Sequence, residues 1–216
     1  SKNLLDDAAF PIQSWLEGEL AETADLLYED VILNGDGIGK PTGILAEAAS
    51  GNNGTTVRPD LPEVVVSGVD GAVSYDFLND VQMALAPQYE NDRTRWVMHK
   101  KGTLSLVAKL KDDAKRPLYT NGAMDYGIVE GPGRNRRLMS DPIVLSQFMP
   151  VTAAGAFALI YGDLQGYMLA NRLALAIQVL YETRAKQNQI EIVARLRFGG
   201  KTVEPYRLKI GKTAAA

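Results

Sequence analysis

The residues with the most chemical potential lie between Gly35 and Lys40, where Gly35-Asp36-Gly37-Ile38-Gly39 runs into a lysine. A glycine-rich loop ahead of a lysine suits phosphate, because bare backbone N–H groups can approach the oxygens while the ammonium neutralises them. The spacing argues against that chemistry. A Walker loop needs glycine five residues before its Gly-Lys pair and Ser or Thr after it; here those places hold Asn34 and Pro41. A dinucleotide fingerprint follows a strand and opens a helix, whereas this stretch closes one with Gly-x-Gly-x-Gly. A calcium loop would follow Asn34 and Asp36 with a third oxygen ligand at the place Ile38 occupies. The stretch reads as a helix-terminating turn, since glycine accepts φ > 0 at a helix C-terminus and Pro41 cannot continue the helix.

The remaining candidates are acids, arginines and one histidine. Glu17, Glu19, Glu22, Asp25, Glu29 and Asp30 share a single segment, and no Lys or Arg occurs between Asn3 and Gly39. Intrahelical ion pairs cannot offset that repulsion, so the compensating charge must lie elsewhere. Arg134, Arg136 and Arg137 form one basic cluster, Arg195 and Arg197 another. The expected arrangement is an interface between copies of the chain, with Glu22, Asp25 and Glu29 facing Arg134, Arg136, Arg137, Arg195 or Arg197 and weakening as salt rises. His99 follows an apolar strand-like run and has no neighbouring nucleophile with an orienting carboxylate, so it reads as a strand-end residue. No catalytic residue, cofactor site or metal site is assigned.

Composition narrows the classes further. Cysteine is absent and His99 is the one histidine, which excludes disulfides, thiolate metal sites, a Cys nucleophile and a His-based zinc cluster. A net charge of -3 offers no basic footprint of the kind that grips nucleic acid. No run approaches the roughly 20 apolar residues of a membrane span, and the N-terminus lacks a signal-peptide layout. The expectation is a soluble, intracellular chain. Its 216 residues suffice for one large domain or two small lobes.

These residues need elements to position them. Ile12, Leu16, Leu20, Ala24, Leu27 and Val31 recur at steps of three or four and predict an amphipathic helix from about Pro11 to Leu33. Ala46 to Gly71 reads as a long surface connection with a short strand at Val64-Val65-Val66, and Asn53-Gly54-Thr55 marks an exposed turn. Ser74 caps a helix to about Ala86 that buries Phe77, Leu78, Val81 and Leu85. Arg95 to His99 predicts a strand, Leu104 to Leu110 a helix, Asn121 to Arg137 a glycine-rich loop, Asp141 to Leu145 a strand begun by a proline, and Phe157 to Leu164 a strand ending in a Gly-Asp turn capped by Asp163. Ile190, Ile192, Ala194, Leu196 and Phe198 alternate with Glu191, Val193, Arg195 and Arg197, so a strand is predicted there. Gly199-Gly200 is its expected hairpin turn, with Tyr206 to Ile210 returning. Gln165 to Ala216 holds nine Lys and Arg against three acids, while Asn3 to Gly39 holds nine acids and no base. The two ends are therefore complementary in charge and expected to pack in one lobe.

Gly35 to Ile44 after an acidic helix, Trp96-Val97-Met98-His99 before Arg116-Pro117-Leu118-Tyr119, the Tyr161 to Tyr167 strand and Gly-Asp turn, and Arg195 to Leu208 occur in an order that resembles the tailed-bacteriophage major capsid proteins of the Hong Kong 97-like fold. The resemblance covers Leu4 to about Lys209. It implies an α+β fold with a long spine helix, a peripheral lobe over 1–60 and 165–216, and an axial lobe over 61–164. It also implies a structural, non-enzymatic protein whose partner is itself, forming pentamers and hexamers of an icosahedral shell around DNA without sequence-specific contact. Scaffold, portal and protease proteins would be further partners, with no membrane. The implied location is the virion, after assembly in the bacterial cytoplasm. An encapsulin-like nanocompartment shell is the alternative. The family's N-terminal arm and extended loop precede the spine helix and are expected to be absent from this chain, which should then remain a monomer or small oligomer.

Overall fold

A computed structural model describes residues 12–50, 58–111, 115, 129–130 and 136–215. The acidic segment forms α1, Ile12–Asn34, about 34 Å long at 1.5 Å per residue. Its apolar stripe is only partly covered. Ala24 and Val31 are buried, whereas Leu27 is 46% exposed; off the stripe, Leu33 is buried and Trp15 57% exposed. Gly35, the residue after the helix, does not take the expected positive φ. The positive φ values fall at Gly37 and Gly39, inside the loop. Gly35 serves close approach instead, because a Cβ there would lie 2.1 Å from the Pro41 carbonyl oxygen and 2.6 Å from that of Val31.

Beyond the loop the chain forms α2, Ile44–Ala49, a short buried helix where the sequence suggested surface connection. β1, Glu63–Asp70, follows, then α3, Tyr75–Met83, whose N-cap Ser74 accepts a hydrogen bond from the Phe77 N–H. β2 is Thr94–Met98. The helix expected over 104–110 is shorter and starts earlier, as a π-type turn Lys100–Leu104 running into α4, Ser105–Val107. It is seeded by His99, whose Nδ1 accepts from the Gly102 N–H at 2.9 Å. The remaining strands are β3 Val129–Glu130, β4 Arg136–Leu138, β5 Asp141–Leu145, β6 Phe157–Asp163, β7 Tyr167–Leu180, β8 Glu191–Thr202 and β9 Leu208–Ala214. Most of the Asn121 to Arg137 loop, Arg134 included, and the Asn53 turn lie outside the described residues.

Seven strands form one sheet in the order β1-β9-β6-β2-β5-β4-β3. β1 pairs parallel to β9 and β2 parallel to β5, and the other neighbours are antiparallel. Period-two alternation sends the central strands' side chains to both faces, and both are buried. Trp96, Met98, Leu159 and Tyr161 join Phe77, Leu78, Val81 and Val107 on one face. Val97, Ile160, Leu208 and Ile210 meet Leu33, Ile44, Leu45 and Met149 on the other.

The C-terminal hairpin differs from the sequence expectation. β8 pairs with β7 in a separate two-stranded ribbon, from Tyr167↔Thr202 to Leu180↔Glu191, and β9 leaves it to sit between β1 and β6. Gly199 and Gly200 lie within β8. A Cβ on Gly200 would fall 2.5 Å from the Tyr167 hydroxyl oxygen, so this glycine makes room for a cross-strand ring instead of turning the chain.

Candidate functional site

α1, its glycine loop, α2 and the ribbon meet at one junction. The loop is closed by a bridge between Asp36 and Thr42 and by the Gly43 N–H donating to the Gly35 carbonyl at 2.7 Å. Asp36 accepts from the Ile38 N–H at 3.0 Å; that bond, more than Lys40 nearby, holds its carboxyl below the usual carboxylate range. The ribbon is tied on by the Thr42 N–H to the Gly200 carbonyl, 3.2 Å, and by the Tyr167 hydroxyl donating to the Thr42 carbonyl, 3.0 Å. Burial, with the Glu47 charge added, pushes the Tyr167 phenol up to about 12. Tyr28 of α1 packs on Phe198 with ring centroids 4.4 Å apart and donates to the Asn171 side chain at 3.3 Å. Backbone bonds close the loop and fasten Thr42 to the ribbon, and side chains of Tyr28, Asn171 and Phe198 add the contact to α1. Among the described residues no group of three His, Asp or Glu side chains is placed to hold an ion.

The chemistry around His99 is similarly occupied. His99, Lys100, Lys101, Leu145, Ser146 and Gln147 line an open depression of about 450 Å³. The His99 Nδ1 is already an acceptor, so in the neutral ring Nε2 carries the proton and cannot serve as a base in that tautomer. The Ser146 hydroxyl accepts from the Phe148 N–H at 3.1 Å, as in a local turn.

Asp163, expected as a turn cap, does more than cap. Its 1% exposed side chain accepts from the Gln165 N–H at 3.0 Å, the Asn91 amide at 3.2 Å and the Arg207 guanidinium at 3.1 Å. Burial is the largest single influence and pushes this carboxyl up, but the three donors together hold it below the usual range. Gly162–Asp163 is thereby locked to the turn before β9, an architectural role that the sequence signalled only through the Gly-Asp pair. Asp141 is the opposite case. Burial, opposed by the hydrogen bond from the Tyr161 hydroxyl at 2.8 Å and by Arg95 and Arg137, raises its carboxyl above the usual range.

A raised acid binds its proton more tightly in the folded chain, so stability falls as pH rises through the folded value and is recovered below about pH 4. Asp141→Asn keeps an acceptor for Tyr161 without the charge. The variant should be more stable than the parent at pH 7, and the advantage should vanish by pH 4 when urea midpoints are compared. A parent more stable than the variant at pH 7 would contradict this.

The residues expected at an interface fall in two places. Glu22, Asp25 and Glu29 lie along α1, with Glu22 and Asp25 exposed and Glu29 half-buried. Arg195 and Arg197 are exposed on β8, while Arg136 and Arg137 belong to β4 near the far end of the large sheet. The Arg137 guanidinium donates to the Ser140 carbonyl at 3.3 Å. Among the described residues no ion pair joins Glu22, Asp25 or Glu29 to Arg137, Arg195 or Arg197.

The chain superimposes on the capsid of the native GTA particle computed with C5 symmetry at TM-score 0.84 and 29% identity, covering 100% of this chain and 70% of that one. The capsid of the empty GTA particle gives 0.83 and 28%, covering 100% and 69%. The holo-SrpI encapsulin of Synechococcus elongatus PCC 7942 shares the fold at 0.66 and 13% identity, covering 97% and 68%. No curated protein sequence matches. The long helix, mixed sheet and ribbon are thus the Hong Kong 97-like α+β fold. Because the family model for the phage capsid family matches residues 1–213, the chain belongs to that family and is a capsid shell protein.

Proposed function

We propose that this chain is the structural subunit of a phage or prophage-like shell enclosing DNA, associating with copies of itself in five- and six-membered rings and performing no catalysis. The observation that carries this reading is the state of α1. It presents Trp15, Leu26 and Leu27 to water together with the exposed acids Glu19, Glu22 and Asp25. A helix more than 30 Å long with an uncovered apolar and acidic side is expected of a subunit and not of a solitary domain. The large sheet with α3 and α4 forms an axial lobe, and α1, α2 and the ribbon form a peripheral one. In this reading β9 is grouped with the axial lobe and not with residues 165–216, on the ground that it pairs between β1 and β6. Scaffold, portal and protease proteins would meet this shell during assembly in the bacterial cytoplasm, and the virion is its final location. The encapsulin-like compartment remains a second reading on fold alone, and the higher identity to the GTA capsids favours the phage-type shell.

Electron microscopy of the purified chain over a concentration series tests the proposal. Rings of five or six copies are expected. A strictly monomeric chain at every concentration, or one that forms only irregular aggregates, would refute it.

A further inference from the structure

The ribbon has two unlike faces. In β8 the even-numbered residues share the face of Phe198, which packs on Tyr28 of α1. Odd-numbered residues, Arg195 and Arg197 among them, project to the opposite face. Arg197 lies across from Leu173 and Arg195 across from Ala176. Leu173 is 41% exposed, so this outward face is a cationic strip with apolar ground between its charges. Neither arginine has an ion-pair partner among the described residues, and the alternation turns both away from the acids of their own α1.

On α1, Glu22, Leu26 and Glu29 fall at i, i+4 and i+7, one line along the helix about 10 Å long, with Asp25 beside it. Leu26 is 39% exposed. Arg195 and Arg197 stand about 7 Å apart along β8, within the length of the acidic line. Charge and apolar ground match between two surfaces that a single copy holds apart.

We infer that the outward ribbon face of one copy docks on the Glu22–Asp25–Glu29 side of α1 of a second copy, with Arg195 and Arg197 pairing those carboxylates around Leu26 and Leu173. The inference rests on the shell reading and specifies one of its contacts. It joins two different patches, so it is a head-to-tail contact of the kind that propagates into rings.

Reciprocal charge reversal tests it, read by analytical ultracentrifugation and native mass spectrometry. All five side chains lie outside the buried core, so Arg195→Glu/Arg197→Glu and Glu22→Lys/Asp25→Lys/Glu29→Lys should fold as the parent does by circular dichroism. Each alone is expected to weaken self-association about tenfold or more, and mixing the two reversed chains should restore association between them. Raising salt should weaken the parent contact. Unchanged association of the reversed chains, or a mixture no better than its components, overturns the docking while parental rings would leave the shell reading intact. Paired association rescued by the swap without rings would uphold the docking and sink the shell. No association of any chain would sink both. Parental self-association in Arg195→Glu/Arg197→Glu combined with lost binding to a DNA duplex, read by fluorescence anisotropy, would assign the arginines to nucleic acid and overturn the docking.

Discussion

Trp96→Ala is expected to cost about 3–5 kcal/mol of folding stability, the largest loss at any single side chain of this protein. Trp96 is fully buried in β2, between β5 and β6 in the large sheet. Its ring packs on Tyr161 at 4.2 Å between centroids, and its indole N–H donates to the Leu138 carbonyl at 3.0 Å. Truncation removes the apolar contact, opens a cavity beneath α3 and strips a buried carbonyl of its donor at once. Neighbours cannot easily close the gap, because Met98, Leu159 and Tyr161 are held by strand register. Trp96→Phe retains most of the volume but not the donor, and should lose a smaller share. Urea unfolding at neutral pH measures both. A loss below about 1 kcal/mol for the alanine variant would show that the sheet repacks around the missing ring.

Gly35→Ala is expected to be nearly as severe, at about 3 kcal/mol, although it adds a single methyl group. The new carbon would sit 2.1 Å from the Pro41 carbonyl oxygen and 2.6 Å from that of Val31, both backbone atoms without rotamer freedom. Relief requires the loop to open, which pulls Thr42 away from Gly200 and Tyr167 and loosens the ribbon's base. Gly39→Ala is the control. Its Cβ meets nothing within 4 Å, but its φ is +70°, so it should lose only about 1 kcal/mol from backbone strain. Thermal unfolding with limited proteolysis of the ribbon separates the two. Equal losses at both positions would show that conformation, not close approach, is what the loop demands of its glycines.

The sequence alone determined the elements whose patterns are local. α1 was legible from its apolar spacing, the Ser74 cap from a hydroxyl ahead of an amphipathic run, and β2, β5 and β6 from short apolar stretches bounded by turn residues. Those signals live in dihedral preference and periodicity within a few residues, and need no partner to be read. The acidic and basic halves of the proposed docking pair were visible too, since charge is a property of composition. What tertiary structure decided is where each pattern is spent. Gly199-Gly200 looks like a turn by type, but a tyrosine thirty-three residues earlier in the chain claims the space above Gly200, so the strand runs on and β7 becomes its partner. β9 carries the alternation of a hairpin strand, yet pairing with β1 and β6 buries Leu208 and Ile210 completely, which a two-stranded ribbon could not do. The stripe of α1 is periodic along the whole helix, but the fold buries Ala24 and Val31 fully and leaves Leu27 in water. Whether Arg195 faces its own acids or those of another copy turns on a ribbon packing through Phe198 against Tyr28. That contact spans 170 residues of chain, and no local pattern encodes which face of a strand a distant helix will choose.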